Sequence, residues 1–241
     1  MTSFQPNLQF TFREARSSAE QLALFQLRYE VYQACPLAKA LTKLNRDLSD
    51  DWDQRSRHFG LYITDDICGD RPVGNVRLTP YLTSNGETPD LPILHYSPEL
   101  AQVWETVSSW SSEGFQVAEA GKLALHPDLQ TSGLARSMVI CAAAAAFLVA
   151  GYDRVAIGTY ASLKRLYAPV GFQPMSGTQP RFYERLGIKG CSLWTSLENI
   201  PYPFSEEVLL AGDLLRHNGF ISLSESAKIM CVDAIVESSI A

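Results

Sequence analysis

The sequence predicts an α/β protein, a sheet carrying at least one helical crossover, on three observations. Residues 115–126 read as a strand, Gly133 to about Ala150 as a helix apolar almost all round, and Arg154–Gly158 as a second, short strand. A strand, an apolar helix and a strand in succession describe a crossover packed on a sheet. Length and composition agree: 241 residues, 46% hydrophobic and 19% charged, are enough for one large domain with a sizeable core. No Pro/Gly/Ser-rich linker divides the chain. The expectation is one domain over 1–241, with a core over about 8–197 and a C-terminal extension over 198–241.

In order along the chain, Leu8–Arg13 alternates as a strand does. A helix follows, in which Ser18 and Gln21 have the spacing of a capping box and Leu24, Leu27 and Val31 form one apolar stripe. Arg28 shares that inward stripe, so its charge requires a partner. Pro36 ends or bends the segment, and Leu37–Leu44 adds a further helical turn or two. After the acidic stretch Asp47–Asp53, His58–Thr64 and Val73–Tyr81 read as two strands of a hairpin, joined through the turn Cys68–Pro72. Thr83–His95 reads as a loop, and Pro98–Ser109 as a helix with proline near its first position. A short helix is expected over Ala161–Tyr167, strand-like structure from Gly171 to about Leu197, and mixed structure beyond.

Composition excludes several classes of function. A net charge of −6 argues against a nucleic-acid partner, because a phosphate backbone selects for clustered Lys and Arg. The first residues lack the basic-then-apolar layout of a signal peptide. The longest apolar run, Met138–Ala150, is shorter than the ~20 residues that span a bilayer. Five cysteines, none at CxxC spacing, suggest neither a disulfide framework nor a zinc site, and Cys141 in its alanine-rich helix reads as a small buried apolar residue. The expectation is a soluble, cytoplasmic protein with reduced thiols, no metal and no integral membrane contact.

The most specific motif is Gln130–Thr131–Ser132–Gly133–Leu134–Ala135, which follows the strand ending Leu123–Ala124–Leu125–His126–Pro127 and opens the apolar helix. Such a turn points backbone N–H groups into a concavity at the positive end of a helix dipole, where phosphate or pyrophosphate binds. Gly133 and Ala135 keep side chains out of the anion's way, although small residues at a helix start also serve close packing. No GxGxxG and no Gly–Lys–Ser/Thr is present, which removes the Rossmann and P-loop alternatives. One strand and one short helix later stands Leu166–Tyr167–Ala168–Pro169–Val170–Gly171–Phe172, whose aromatics read equally as core residues.

Together the two motifs resemble the GNAT acyltransferase superfamily, whose signature Q/R-x-x-G-x-G/A lies between strand and helix and precedes a Tyr and a Gly–Phe pair. The resemblance implies a mixed, mostly antiparallel twisted sheet flanked by helices. It also implies a donor, acyl-CoA or acyl-phosphopantetheine, held by Gln130 to Ala135 and by Leu123 and Leu125 of the preceding strand, with no permanently bound cofactor. The N-terminal half resembles one branch, the acyl-homoserine-lactone synthases and long-chain N-acyl amino acid synthases. It does so in Leu27–Arg28–Tyr29–Glu30–Val31–Tyr32, in Asp50–Asp51–Trp52–Asp53 before Arg57–His58–Phe59, in Gly74–Asn75–Val76–Arg77–Leu78, and in Glu119–Ala120–Gly121–Lys122–Leu123. The chain departs from that branch at Lys122, where the branch carries Arg; an ammonium cannot make the planar two-pronged contact of a guanidinium.

Aminolysis of a thioester requires an uncharged amine, an oriented carbonyl and a protonated leaving thiolate. Glu119 is the candidate to take the ammonium proton, and Tyr167 the candidate to protonate the thiolate, a role the family resemblance implies. Asp51 and Asp53 are read as partners of the substrate ammonium or of structural cations. Arg28, Arg77 and Lys122 either join them in a buried network or bind an acceptor carboxylate; a purely structural ion-pair cluster is the alternative. Backbone N–H groups around Leu125 are placed to bind the thioester oxygen. His58 reads first as structural, with a substrate contact as the alternative, and His126 as a local hydrogen-bonding residue. The expected activity is transfer of a medium or long acyl chain from acyl carrier protein or coenzyme A to an amino acid or similar small amine. A plain acetyl-CoA N-acetyltransferase and a non-catalytic module that binds acyl thioesters are the alternatives. Arg136, Lys164 and Arg165 would supply the basic patch that an acidic carrier protein needs.

Overall fold

Alternating side chains divide each central strand between two faces of one sheet. The structure, a computed structural model, describes residues 9–35, 49–65, 69–82, 90–96, 100–130, 133–183, 188–224 and 229–230. Strands β1 (Phe10–Glu14), β2 (Arg57–Asp65), β3 (Gly69–Pro80), β4 (Val117–Leu125), β5 (Arg154–Tyr160), β6 (Gln173–Pro174), β7 (Arg181–Tyr183), β8 (Ile188–Thr195), β9 (Phe220–Leu223) and β10 (Ile229–Met230) form one sheet. Its order is β10-β9-β1-β2-β3-β4-β5-β8-β6, with β7 also paired to β8. Among the described strands, β4 and β5 alone run parallel. The sheet is therefore mixed and mostly antiparallel, as expected.

On one face Phe59, Leu61, Val76, Leu78, Val155 and Ile157 meet helix α4 (Leu134–Ala144), its π-helical continuation Ala145–Val149 and helix α6 (Phe204–Asn218). The five successive alanines Ala142–Ala146 sit wholly in this core, against Val208, Ala211 and Leu215 of α6. Closeness explains the small residues: a Cβ on Gly212 would lie 2.3 Å from Leu148 Cδ1. Segment 198–224 thus supplies α6 to this face and β9, which pairs β1 at the sheet's edge.

The other face carries α1 (Ser18–Ala34) over β3 and β4, and the one-turn α2 (Ile93–Tyr96) with α3 (Leu100–Ser112) beside β4 and β5. Leu24, Leu27, Arg28 and Val31 of α1 are buried, the stripe the sequence predicts. The capping box lies one residue earlier than predicted. Ser17 Oγ accepts from Glu20 N at 3.2 Å, and Glu20 Oε2 accepts from Ser17 N at 2.9 Å, because a glutamate there stands three residues beyond a serine in extended conformation.

Other boundaries also move. β3 begins at Gly69, inside the predicted 68–72 turn, since Gly69 already pairs with Asp65. The loop expected over 83–95 ends in α2. The extra turns expected over 37–44, and Pro98 at its helix start, lie outside the described residues. The short helix over 161–167 is a 3-10 turn, Ala161–Leu163, running into α5 (Lys164–Tyr167).

Candidate active site

Beneath α1 the sheet's inner face is polar. β3 sends Val76 and Leu78 to the α4 face, so Asn75, Arg77 and Thr79 point the other way, all three buried. His58 is paired with Arg77 and Glu119 with Thr79, which places both on the same polar face. A row of buried polar side chains on central strands costs stability unless each finds a partner. Their partners come from several elements: Asp50, Asp53 and Ser56 around the 3-10 turn Asp51–Arg55 serve Arg77, His58 and Thr79, the Lys122 carbonyl serves Asn75, and the Ile93 N–H serves Glu119.

Arg28, fully buried, grips Asp53 with two prongs: Nη1 to Oδ1 at 3.2 Å and Nη2 to Oδ2 at 3.0 Å. Arg77 Nη1 donates to Asp53 Oδ1 at 2.9 Å and to Asp50 Oδ1, and Lys122 Nζ lies 3.0 Å from Asp50 Oδ2. Burial pushes the Asp53 carboxyl upward, but the guanidiniums of Arg28 and Arg77 outweigh it and hold its pKa at about 2. His58 Nε2 donates to the Asp53 carbonyl at 3.0 Å; burial lowers its pKa, so the ring is neutral near pH 7. Arg28, Arg77, Asp53 and Lys122 are thus brought together.

Asp51 is not. It is exposed, and Asp50, which was not among the predicted binding residues, takes the second acidic position. A 3-10 turn repeats every three residues, so Asp50 and Asp53 share a side while Asp51 turns away. Tyr32 was also missed, although it follows Arg28 by one helical turn. Its buried hydroxyl is within electrostatic reach of Arg28, Arg77 and Asp50, and also of Tyr160 and Tyr167.

Glu119 stands at the base of an opening in the sheet. Parallel pairing of β4 with β5 ends at Glu119↔Ala156, although both strands continue, β4 to Leu125 and β5 to Tyr160. β4 is bulged just beyond: Arg77 pairs with Gly121 and Asn75 with Ala124, so Lys122 and Leu123 together face Val76. Lys122 adopts φ +55° at this bulge, and its carbonyl accepts from Asn75 Nδ2 at 2.8 Å. Glu119 is 7% exposed, and its Oε2 accepts from the Ile93 backbone N–H of α2 at 2.6 Å. Burial raises its pKa to about 7 against the opposing pull of that N–H, Arg77 and Lys122. A carboxyl group half-ionised near neutrality is suited to accept a proton.

Tyr167 on α5 is hydrogen-bonded to Thr159 of β5, and its ring meets Phe172 edge-on with centroids 5.6 Å apart. Burial raises its hydroxyl to about 12, so it carries its proton at neutral pH. At the far end of β4, Gln130 Nε2 donates to the Leu125 carbonyl at 3.2 Å and fastens the following turn to the strand. Gly133 opens α4 with φ +83°, a left-handed conformation that favours glycine. Leu123 and Ala135 are half-buried and Leu125 and Leu134 buried. Thr131 and Ser132 lie outside the described residues.

A mixed sheet that opens between a bulged β4 and its parallel neighbour, with a glycine turn leading into the apolar crossover helix, is the fold of the GNAT acyltransferases, and the chain has that fold. Two solved structures show the likeness. One is FeeM, an N-acyl amino acid synthase from uncultured soil microbes: 15% identical, with 85% of this chain and 96% of that chain covered and a TM-score of 0.56. The other is BjaI, a CoA-dependent acyl-homoserine lactone synthase solved with SAM and isopentyl-CoA: 14% identical, 92% of each chain covered, TM-score 0.53. No family model matches the sequence, and no curated protein is similar to it in sequence.

Proposed function

We propose that the chain is an N-acyltransferase, one domain over 1–241, that moves a medium or long acyl chain from a phosphopantetheine thioester to the amine of an amino acid or similar small acceptor. The observation that carries this reading is Glu119, a buried carboxyl with a pKa near 7 at the mouth of the strand opening. The likeness in fold to an N-acyl amino acid synthase and to a CoA-dependent acyl-homoserine lactone synthase supports the choice of branch. The turn at Gln130–Ala135 holds the donor's phosphates, and the backbone of Leu123 and Leu125 orients its thioester arm.

In the reaction Glu119 takes a proton from the acceptor ammonium, and the freed amine attacks the thioester carbonyl. The tetrahedral intermediate then collapses: the C–S bond breaks, the amide forms, and the nitrogen gives up its second proton to water. The departing thiolate receives a proton from Tyr167, which is reprotonated from solvent, and Glu119 returns its proton to solvent. Arg28, Arg77, Asp50, Asp53 and Lys122 fix the acceptor beside Glu119, and Tyr32 extends that wall toward Tyr167. The donor carrier is acyl carrier protein or coenzyme A. Arg136, Lys164 and Arg165 are all exposed, on the contacting helices α4 and α5, and form the patch on which an acidic carrier would dock.

The test is kcat/KM, read as thiol release, for acetyl-CoA against C8 to C16 acyl-CoA with a panel of amino acids, the products identified by mass spectrometry. Each buried methylene contributes ~0.8 kcal/mol, so long donors are expected to win by orders of magnitude. A preference for acetyl would make the protein a small-molecule N-acetyltransferase instead. Donor binding without turnover on any acceptor would make it a non-catalytic thioester-binding module.

A further inference from the structure

The backbone N–H of Ile93 holds Glu119, and α2, which carries it, is a single turn of four residues. So short a helix does not fix its own position. Its position is set from outside, by Leu91, Ile93 and Leu94 buried against Val103 and Val107 and, on the polar side, by Asp90. Trp52 Nε1 donates to Asp90 Oδ2 at 2.6 Å, Arg55 Nη2 donates to the Asp90 carbonyl and lies 3.5 Å from Oδ2, and His95 Nε2 bonds Oδ1. The Trp52 and His95 rings meet edge-on at 5.1 Å. Trp52 and Arg55 belong to the same 3-10 turn that presents Asp53 to Arg28 and Arg77. One carboxylate therefore ties the acidic cluster to the segment that donates to Glu119.

Resting on the reading of Glu119 as the proton acceptor, the geometry points to Asp90 as a positioning residue that holds the Ile93 N–H on the Glu119 carboxylate and so sets the pH at which that base is available. Asp90 touches neither substrate nor the reacting atoms; it acts through the segment it anchors. The groups that face Glu119 are Arg77 from β3, Lys122 from its own strand, Asp50 from the segment before the 3-10 turn, and the Ile93 N–H from α2. None of the first three is bonded to Asp90. Loosening Asp90 also frees Trp52 and Arg55 of the turn that Asp50 caps, but Asp50 keeps its own ion pairs with Arg77 and Lys122, so the group lost to Glu119 is the N–H. An N–H bonded to a carboxylate favours the ionised form, so its loss raises the carboxyl's titration midpoint.

The test is the ¹³Cδ NMR titration of Glu119 in protein labelled at the glutamate side-chain carboxyl, with Glu119→Gln identifying the signal. In Asp90→Ala the midpoint should rise by about one pH unit, the size expected for one lost bond to a charged group. Asp90→Asn keeps an oxygen for Trp52 and should recover much of the shift. Trp52→Phe, which removes the indole N–H while keeping an aromatic ring, should shift the midpoint in the same direction and serves if Asp90→Ala does not fold. A midpoint unmoved in folded Asp90→Ala, or in Trp52→Phe where that variant stands in, overturns the inference. Glu119→Gln with unchanged thiol release overturns the general-base reading instead, and the titration distinguishes the two failures because it requires no turnover.

Discussion

At the scale of single residues, Glu119 is held with its proton near neutral pH at a cost in stability. A carboxyl whose folded pKa is raised holds its proton more tightly in the folded than in the unfolded chain. Stability therefore falls as pH climbs from about 4.3, the unfolded value, toward the folded value of about 7. Glu119→Gln keeps an oxygen for the Ile93 N–H and has no charge to bury. It should lower kcat by about 10²–10⁴-fold while leaving donor affinity unchanged, and it should raise the melting temperature at pH 8 but not at pH 4. Wild-type activity should climb with a midpoint near pH 7. Asp53 has the opposite sign. Its pKa is depressed to about 2, so its contribution is complete above about pH 4 and is lost as pH falls toward 2. Asp53→Asn leaves the buried Arg28 guanidinium without its carboxylate and Arg77 with Asp50 alone, and should destabilise the protein by about 3–5 kcal/mol in urea titration, more than any exposed ion pair here. The sequence showed that Arg28 needs a buried partner, because it lies on the stripe of Leu24, Leu27 and Val31. It could not choose among three neighbouring aspartates, since the choice depends on the 3-10 geometry of Asp51–Arg55.

At the scale of elements, the Gly171–Phe172 pair shows why a motif glycine is glycine. Gly171 closes the short helical segment with φ +74°, and a Cβ there would meet the Asn199 carbonyl oxygen at 2.2 Å. Gly114 has a similar left-handed backbone, φ +90°, with open space around it. Gly114→Ala should therefore cost only the left-handed penalty, about 1–2 kcal/mol. Gly171→Ala adds a clash with backbone that cannot step aside, and its loss in chemical denaturation should exceed that of Gly114→Ala by at least about 1 kcal/mol. The alanine run has a similar cause. These residues, Ala142–Ala146, let α4 and its continuation approach α6 closely.

At the scale of the whole molecule, an overall negative chain presents exposed Arg136, Lys164 and Arg165 on two contacting helices, Arg136 three residues beyond Gly133. If a carrier protein docks there, Lys164→Glu with Arg165→Glu should raise KM for an acyl-carrier-protein donor about tenfold at low salt and leave KM for acyl-CoA within about twofold. Equal effects on both donors would place the patch outside the docking surface. Among the described residues no helix is long and apolar enough to cross a membrane.

The sequence by itself determined the sheet and its crossover, because strand alternation and a helix apolar on all sides leave few places for residues 115–158 to go. It also marked the glycine turn, since glycine at the start of an apolar helix is a local requirement of backbone geometry, and named Glu119 and Tyr167 as candidates. Only the tertiary structure decided which acids come together. Asp50, not Asp51, meets Arg77 and Lys122, and Tyr32 lies within reach of Arg28, because burial and the three-residue turn are set by contacts distant in the chain. It likewise decided that Glu119 is held by the Ile93 N–H, a backbone group with no side-chain signature, brought 26 residues back along the chain. Local geometry is written in neighbouring residues; the protonation state of a buried carboxyl is written in everything folded around it.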